Sequence, residues 1–125
     1  MTSLTAIPDH AFYNCGSLSS LALPNTIARI NDYAFGYCHQ LTSIDLPDSI
    51  QYVGSGAFTE CSGLRQVNVP ALVNFFGNNA FYRCTRLESV HVDGIDSWNS
   101  IEFKSASANP LAYAHMLYDS STDDD

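Results

Sequence analysis

The chain repeats itself every 23 residues. Cysteine stands at Cys15, Cys38, Cys61 and Cys84, preceded three residues earlier by Phe12, Phe35, Phe58 or Phe81 and four earlier by Ala11, Ala34, Ala57 or Ala80. Three residues after each cysteine comes Leu18, Leu41, Leu64 or Leu87. A period held without insertion over most of the chain defines a stacked solenoid, because a unit this short buries its apolar face only against neighbours. The repeated residues hold such a fold, so a functional surface has to be sought in the columns that vary.

Alignment on the period gives the unit L-x-x-Φ-x-Φ-P-x-x-Φ-x-x-Φ-x-x-x-A-F-x-x-C-x-x, with Φ apolar. The Φ-x-Φ pairs are Leu21/Leu23, Ile44/Leu46, Val67/Val69 and Val90/Val92. Their period of two predicts a short strand with the Φ side chains inward. Pro24, Pro47 and Pro70 follow, and Asp93 breaks that column. Proline has no N–H to continue a ladder, so it ends the strand and turns the chain. The next apolar pairs, such as Ile27/Ile30 and Ile50/Val53, fit a second extended piece across the coil. A-F-x-x-C-x-x-L, apolar every third residue, suits a short helical or 3-10 turn. The expected fold is a stacked solenoid with short parallel strands, second short extended segments and short helical turns.

The unit resembles the BspA-type (Treponema pallidum-like) leucine-rich repeat, whose 23-residue unit runs LxSIxLPxSVxxIGxxAFxxCxx. LTSIDLPDSIQYVGSGAFTEC, from Leu41 to Cys61, follows it almost position for position. The flanking segments Leu18 to Cys38 and Leu64 to Cys84 follow it with more drift. The resemblance covers residues 1–93, a partial first unit and then units starting at 18, 41, 64 and 87, and it implies a leucine-rich repeat solenoid, an α/β right-handed coil. Residues 94–118, with W-x-x-I-x-F and N-P-L-x-Y-A-x-x-L-Y, are similar to a divergent segment found among such repeats. They read as a divergent C-terminal repeat or cap.

Asn109 before Pro110 is an N-cap followed by proline at the first helical position, which predicts a short helix over 110–117. Residues 119–125, acidic and without apolar anchors, read as a disordered tail. At the other end Met1 falls in register with Pro24, so the first unit starts after its strand. Leu18 to Leu23 then forms an edge, and an uncapped apolar edge is a template for association. A fragment of a longer array and a homodimer through that N-terminal edge both fit.

Composition removes several function classes. Thirteen acidic residues against five Lys and Arg give a formal charge of −8, which disfavours nucleic acid, whose phosphates need a basic face. No long apolar run predicts a membrane span, and the first residues lack the pattern of a signal peptide.

No catalytic residue, metal site or cofactor is expected. The cysteines lack C-x-x-C spacing and share one repeat phase, where stacked parallel Cβ vectors suit neither a disulfide nor a tetrahedral metal site. They read as buried reduced thiols. His10, His39, His91 and His115 occupy different phases, and no G-x-S-x-G elbow or paired acid cluster occurs.

Two sets of variable residues remain as candidate partner-binding positions. On the strand, Ser20, Ser43, Gln66 and Ser89 form one outward column, and Ala22, Asp45, Asn68 and His91 form the next, paving an expected concave face. The aromatic set comprises Tyr13 and Tyr82 in one phase, and Tyr52 and Phe75 in another beside Arg29; exposed tyrosine is favoured at interfaces. The resemblance implies a protein-protein interaction module of a surface or secreted adhesin-like protein, its partner a host matrix or cell-surface protein. The competing reading is a structural spacer or relic fragment. The sequence alone leaves a cytoplasmic place open.

Overall fold

A computed structural model of the chain describes residues 5–119. Met1, Leu4 and the acidic tail from Ser120 to Asp125 lie outside the described residues. The described strands are β1 (Ala6–Ile7), β2 (Arg29–Ile30), β3 (Ser43–Ile44), β4 (Tyr52–Val53), β5 (Gln66–Val69), β6 (Phe75–Phe76), β7 (Ser89–Val92), β8 (Glu102–Phe103) and β9 (Met116–Asp119). They form two parallel sheets, β1-β2-β4-β6-β8 and β3-β5-β7-β9. From β3 to β8 successive strands alternate between the two sheets, one to each per coil, so the chain is a parallel-strand solenoid. The Φ-x-Φ motif builds the four-stranded sheet, and the second extended piece builds the five-stranded one.

The register carries the 23-residue step: Ala6 pairs with Arg29, Arg29 with Tyr52, and Tyr52 with Phe75. Identical repeat phases therefore stack on one another. Between the sheets, each proline carbonyl accepts from the N–H three residues on: Ile27 to Pro24, Ile50 to Pro47 and Val73 to Pro70, at 3.0–3.2 Å.

The Ala-Phe-x-x-Cys segment is not a continuous helix. Its N–H groups alternate between partners inside the coil and partners on the next one. Tyr13 N donates to the His10 carbonyl and Cys15 N to that of Phe12, whereas Phe12 N donates to Ala34 and Asn14 N to Gly36, both at 2.7 Å. Bonds from i to i+3 are present, as a short helical turn requires, but a helix would have no N–H groups left for the neighbour. The bends fall at two left-handed columns: His10, Tyr33, Gly56 and Asn79, then Asn14, Tyr37, Glu60 and Arg83, all with φ near +60°.

The core is a set of ladders. Phe12, Phe35, Phe58 and Phe81 stack face to face at 5.2–5.5 Å with interplanar angles of at most 8°. Such pairs add about 0.5–1.5 kcal/mol each beyond area burial. Ile27, Ile50 and Val73 fill a second column, and Leu41, Leu64 and Leu87 a third.

The last coil departs from the period. Met116 pairs with Ser89 and Glu102 with Phe75, a step four residues longer than elsewhere. The extra length holds helix α1 (Ile95–Asn99), whose buried Trp98 packs on Phe103 at 5.2 Å. Asp119 accepts from Gly94 N and Ile95 N at 3.0 and 3.1 Å, joining the start of α1 to the end of β9.

The helix expected over 110–117 is corrected. Asn109 does cap, accepting from Leu111 N at 2.9 Å, and Pro110 does start a helical turn. That turn is 3-10 and covers only Pro110–Ala112, and the chain then enters β9. Pairing with the unsatisfied edge of β7 outweighs the local helix signal. Asp119, grouped by composition with the acidic tail, is the last residue of β9.

Candidate interaction surfaces

The outward columns expected on the strand motif are those of the four-stranded sheet. Ser43, Gln66, Ser89 and Met116 lie in one register line, and Asn68, His91 and Tyr118 in the next. Ala22 joins Asp45 through a single bridge. Ser20, Ala22, Asp45 and Gln66 are exposed, whereas Ser43, Asn68, Ser89 and His91 are half-buried.

Not all of them are free for a partner. The Asn68 side chain straddles the backbone of Leu46, accepting from its N–H at 2.8 Å and donating to its carbonyl at 2.9 Å. It replaces main-chain pairing where β3 has ended. Ser89 Oγ lies 3.3 Å from His91 Nε2, and the His91 ring stacks on Tyr118 at 4.9 Å. Tyr118 and Met116 are 43% and 48% exposed, so the most open aromatic and apolar groups of this face sit on β9. Sequence reasoning missed both. Their signal was Ala114-x-x-Leu117, which repeats the L-x-x-Φ spacing, but the Asn109-Pro110 helix start masked it.

The aromatic positions are not brought together as one set. Tyr13 and Tyr82 share a phase but stand three coils apart. Tyr13 instead meets His10 at 5.0 Å, Tyr37 at 5.4 Å and Tyr33 at 6.5 Å, while His10 stacks on Tyr33 at 5.3 Å. His10, Tyr33 and Tyr37 come from the left-handed columns, which no periodicity of apolar residues reveals. The Tyr13 and Tyr33 rings lie against Gly36 and Gly56 of the following coil, in space a Cβ would occupy. Tyr52 and Phe75 do stack, at 5.1 Å, and the Arg29 guanidinium lies 3.9 Å above the Tyr52 ring. This row runs along the five-stranded sheet.

The thiols make no disulfide. Cys38, Cys61 and Cys84 each donate to a phenylalanine carbonyl of the preceding coil: Phe12 at 3.1 Å, Phe35 at 3.0 Å and Phe58 at 3.1 Å. Burial raises all three thiol pKa values, that of Cys84 to about 12. They stay protonated and act as internal donors. Among the described residues no group of His, Cys, Asp and Glu is placed to hold a metal ion.

A polar groove of about 490 Å³ runs along the rim where the strands of the four-stranded sheet begin, with Arg65 and Arg86 on its wall. Arg65 meets Glu88 at 3.3 Å. No helix among the described residues is long and apolar enough to cross a membrane.

Stacked parallel strands, a ladder of identical core residues and outward columns of varied polarity define a solenoid of the leucine-rich repeat class, generally a binding scaffold without enzymatic activity. More narrowly, the pattern of the BspA type leucine rich repeat region matches residues 3–116 in six copies, and the chain belongs to that family. The fold is similar to that of a T. pallidum leucine-rich repeat protein, with a TM-score of 0.77 and 23% identity over 92% of this chain and 63% of that one. It is also similar to a leucine-rich cell surface protein of Faecalibacterium prausnitzii, with a TM-score of 0.57 and 23% identity over 82% of this chain and 32% of that one. The chain thus spans less than two thirds of either relative. No curated protein sequence matches it significantly.

Proposed function

We propose that the chain is a non-enzymatic protein-binding module of a surface or secreted adhesin-like protein. The outward face of the four-stranded sheet makes the contact, centred on His91, Met116 and Tyr118. One observation carries this reading: the His91–Tyr118 stack holds an exposed ring rigidly beside exposed Met116. Tyrosine and methionine are enriched at interfaces, and a ring already fixed in place loses little entropy on binding. The cell-surface description of the F. prausnitzii protein supports the adhesin reading by analogy of fold. A host matrix or cell-surface protein is the expected partner.

The test is surface plasmon resonance of the chain against a panel of purified matrix proteins. Tyr118→Ala should weaken a positive interaction at least about ten-fold, as expected for a central aromatic contact. Absence of binding across the panel would count against adhesion, and binding unchanged by Tyr118→Ala would remove the sheet face from it.

Self-association through the N-terminal edge is the second reading. Leu21 and Leu23 are only half-buried, and Ala22 between them has a single bridge on its inner side. At the far end Leu117 is 36% exposed although it stands in register with fully buried Val90. These ends are unlike, so copies joining through them would stack head to tail. Light scattering across a concentration series tests this: Leu21→Asp should abolish any growth in mass. A wild-type chain that stays monomeric would dismiss the reading.

A further inference from the structure

The five Lys and Arg residues are not evenly spread. Arg65 and Arg86 line one groove, along the rim where β3, β5, β7 and β9 begin, with the ring of His39 at one end. A second hollow of about 570 Å³ shares Arg65, Thr85 and Arg86 with the first and continues to Tyr113, His115 and Met116. The two form one trough across the ends of successive coils, polar at the His39 end and apolar at the Met116 end.

Glycine cuts its floor. Gln40, Gly63 and Arg86 occupy one repeat phase, so a side chain is missing between the other two. At Gly63 a Cβ would collide with the His39 carbonyl, so the neighbouring coils close on each other there and leave a notch open to solvent. Arg86 is exposed and makes no ion pair among the described residues, whereas Arg65 already meets Glu88.

We propose that this trough binds an extended acidic segment of a partner protein, with carboxylates on Arg86 and Arg65 and an apolar side chain against Tyr113 and Met116. Guanidinium groups suit carboxylates through paired N–H donors. A densely charged polyanion such as a sulfated glycan fits less well. The chain carries a formal charge of −8 and Glu88 stands on the trough wall, so a long polyanion meets net repulsion outside the two arginines. A short carboxylate segment places charge only where the cations are, and its apolar residue has a matching end of the trough. The proposal rests on the reading of the chain as a protein-binding module but uses the rim where the strands begin, which meets the sheet face at Met116.

The experiment is fluorescence anisotropy with a short labelled peptide carrying two glutamates and, near its end, one leucine. Its glutamine counterpart and heparin serve as comparison probes. The glutamate peptide should bind, weaken with added salt, and bind about ten-fold less well to Arg86→Ala, as expected for loss of a charge-assisted hydrogen bond. Glu88→Gln should tighten it, because Arg65 is then released. His91→Ala, at a sheet-face residue that lines neither hollow, should leave it unchanged, which separates this trough from the sheet face. Circular dichroism of each variant checks that the fold is kept. Equal binding of the glutamine peptide, indifference to Arg86→Ala, loss on His91→Ala, or binding of heparin without the peptide would each overturn the proposal.

Discussion

The thiol of Cys61 donates to the carbonyl of Phe35 on the preceding coil, 3.0 Å away. Burial pushes both the Cys61 and Cys84 thiols above the ordinary value of 9.0, Cys84 to about 12. A folded-state pKa above the unfolded one means that the native chain holds a proton the unfolded chain has released. The associated stability is complete below pH 9 and is lost as pH rises from about 9 to about 12. Urea titrations over that range should show a falling midpoint, with a shallower fall in Cys84→Ser. An identical slope in the variant would show that the thiols do not drive it.

The same ladder sets chemical reactivity. Cys15 is half-buried and the other three cysteines are buried, and thiolate is the reactive form. Iodoacetamide on the native chain at pH 8 should label Cys15 first, and Cys38, Cys61 and Cys84 only on unfolding. Mass spectrometry of a time course reads this directly, and simultaneous labelling of all four would contradict the buried column.

Asn68 holds the backbone of Leu46 through two hydrogen bonds. Asn68→Leu leaves the Leu46 N–H and carbonyl without that partner and should cost about 1–3 kcal/mol in urea unfolding. Gln66→Leu, at an exposed position on the same strand, should change stability by no more than about 0.5 kcal/mol. Equal effects at the two positions would show that the clamp contributes nothing.

Gly56 has φ +62°, and a Cβ there would strike the Tyr33 ring. Gly56→Ala should cost about 1–3 kcal/mol from left-handed strain and this collision together. In a Tyr33→Ala background the cost should shrink to the strain alone, which non-glycine residues at His10, Tyr33 and Asn79 already bear. A double-mutant cycle measures the difference, and strict additivity would mean that the ring moves aside freely.

Phe58 lies between Phe35 and Phe81 in the ring stack and is fully buried, whereas Phe12 at the stack's end is half-buried. Phe58→Ala should cost about 3–5 kcal/mol, and Phe12→Ala clearly less. Thermal unfolding of both variants tests the ranking.

Much of this architecture could be read from the period. Ala, Phe, Cys and Leu recur because each stacks on its own copy, and that cooperation shows in a sequence as identity at fixed spacing. The outward columns followed from the same ruler, since a strand alternates faces. Two things escaped. The aromatic corner of His10, Tyr13, Tyr33 and Tyr37 depends on left-handed backbone at two phases, a property shared by His, Tyr, Asn, Glu and Arg side chains with nothing else in common. The exposed pair Met116 and Tyr118 was hidden because Asn109-Pro110 is a strong local helix start, and only the open edge of β7 decides that the chain becomes a strand.

The corner between the two sheets has a further consequence. In three coils it is a tight turn begun by Pro24, Pro47 or Pro70, and in the coil that carries Asp93 instead it takes in α1 with neither sheet losing a pair. The circumference of a coil is thus adjustable at that single bend. A protein engineer could splice a reporter or an epitope there, and the stack would grow a side branch while its own courses stayed laid one upon another.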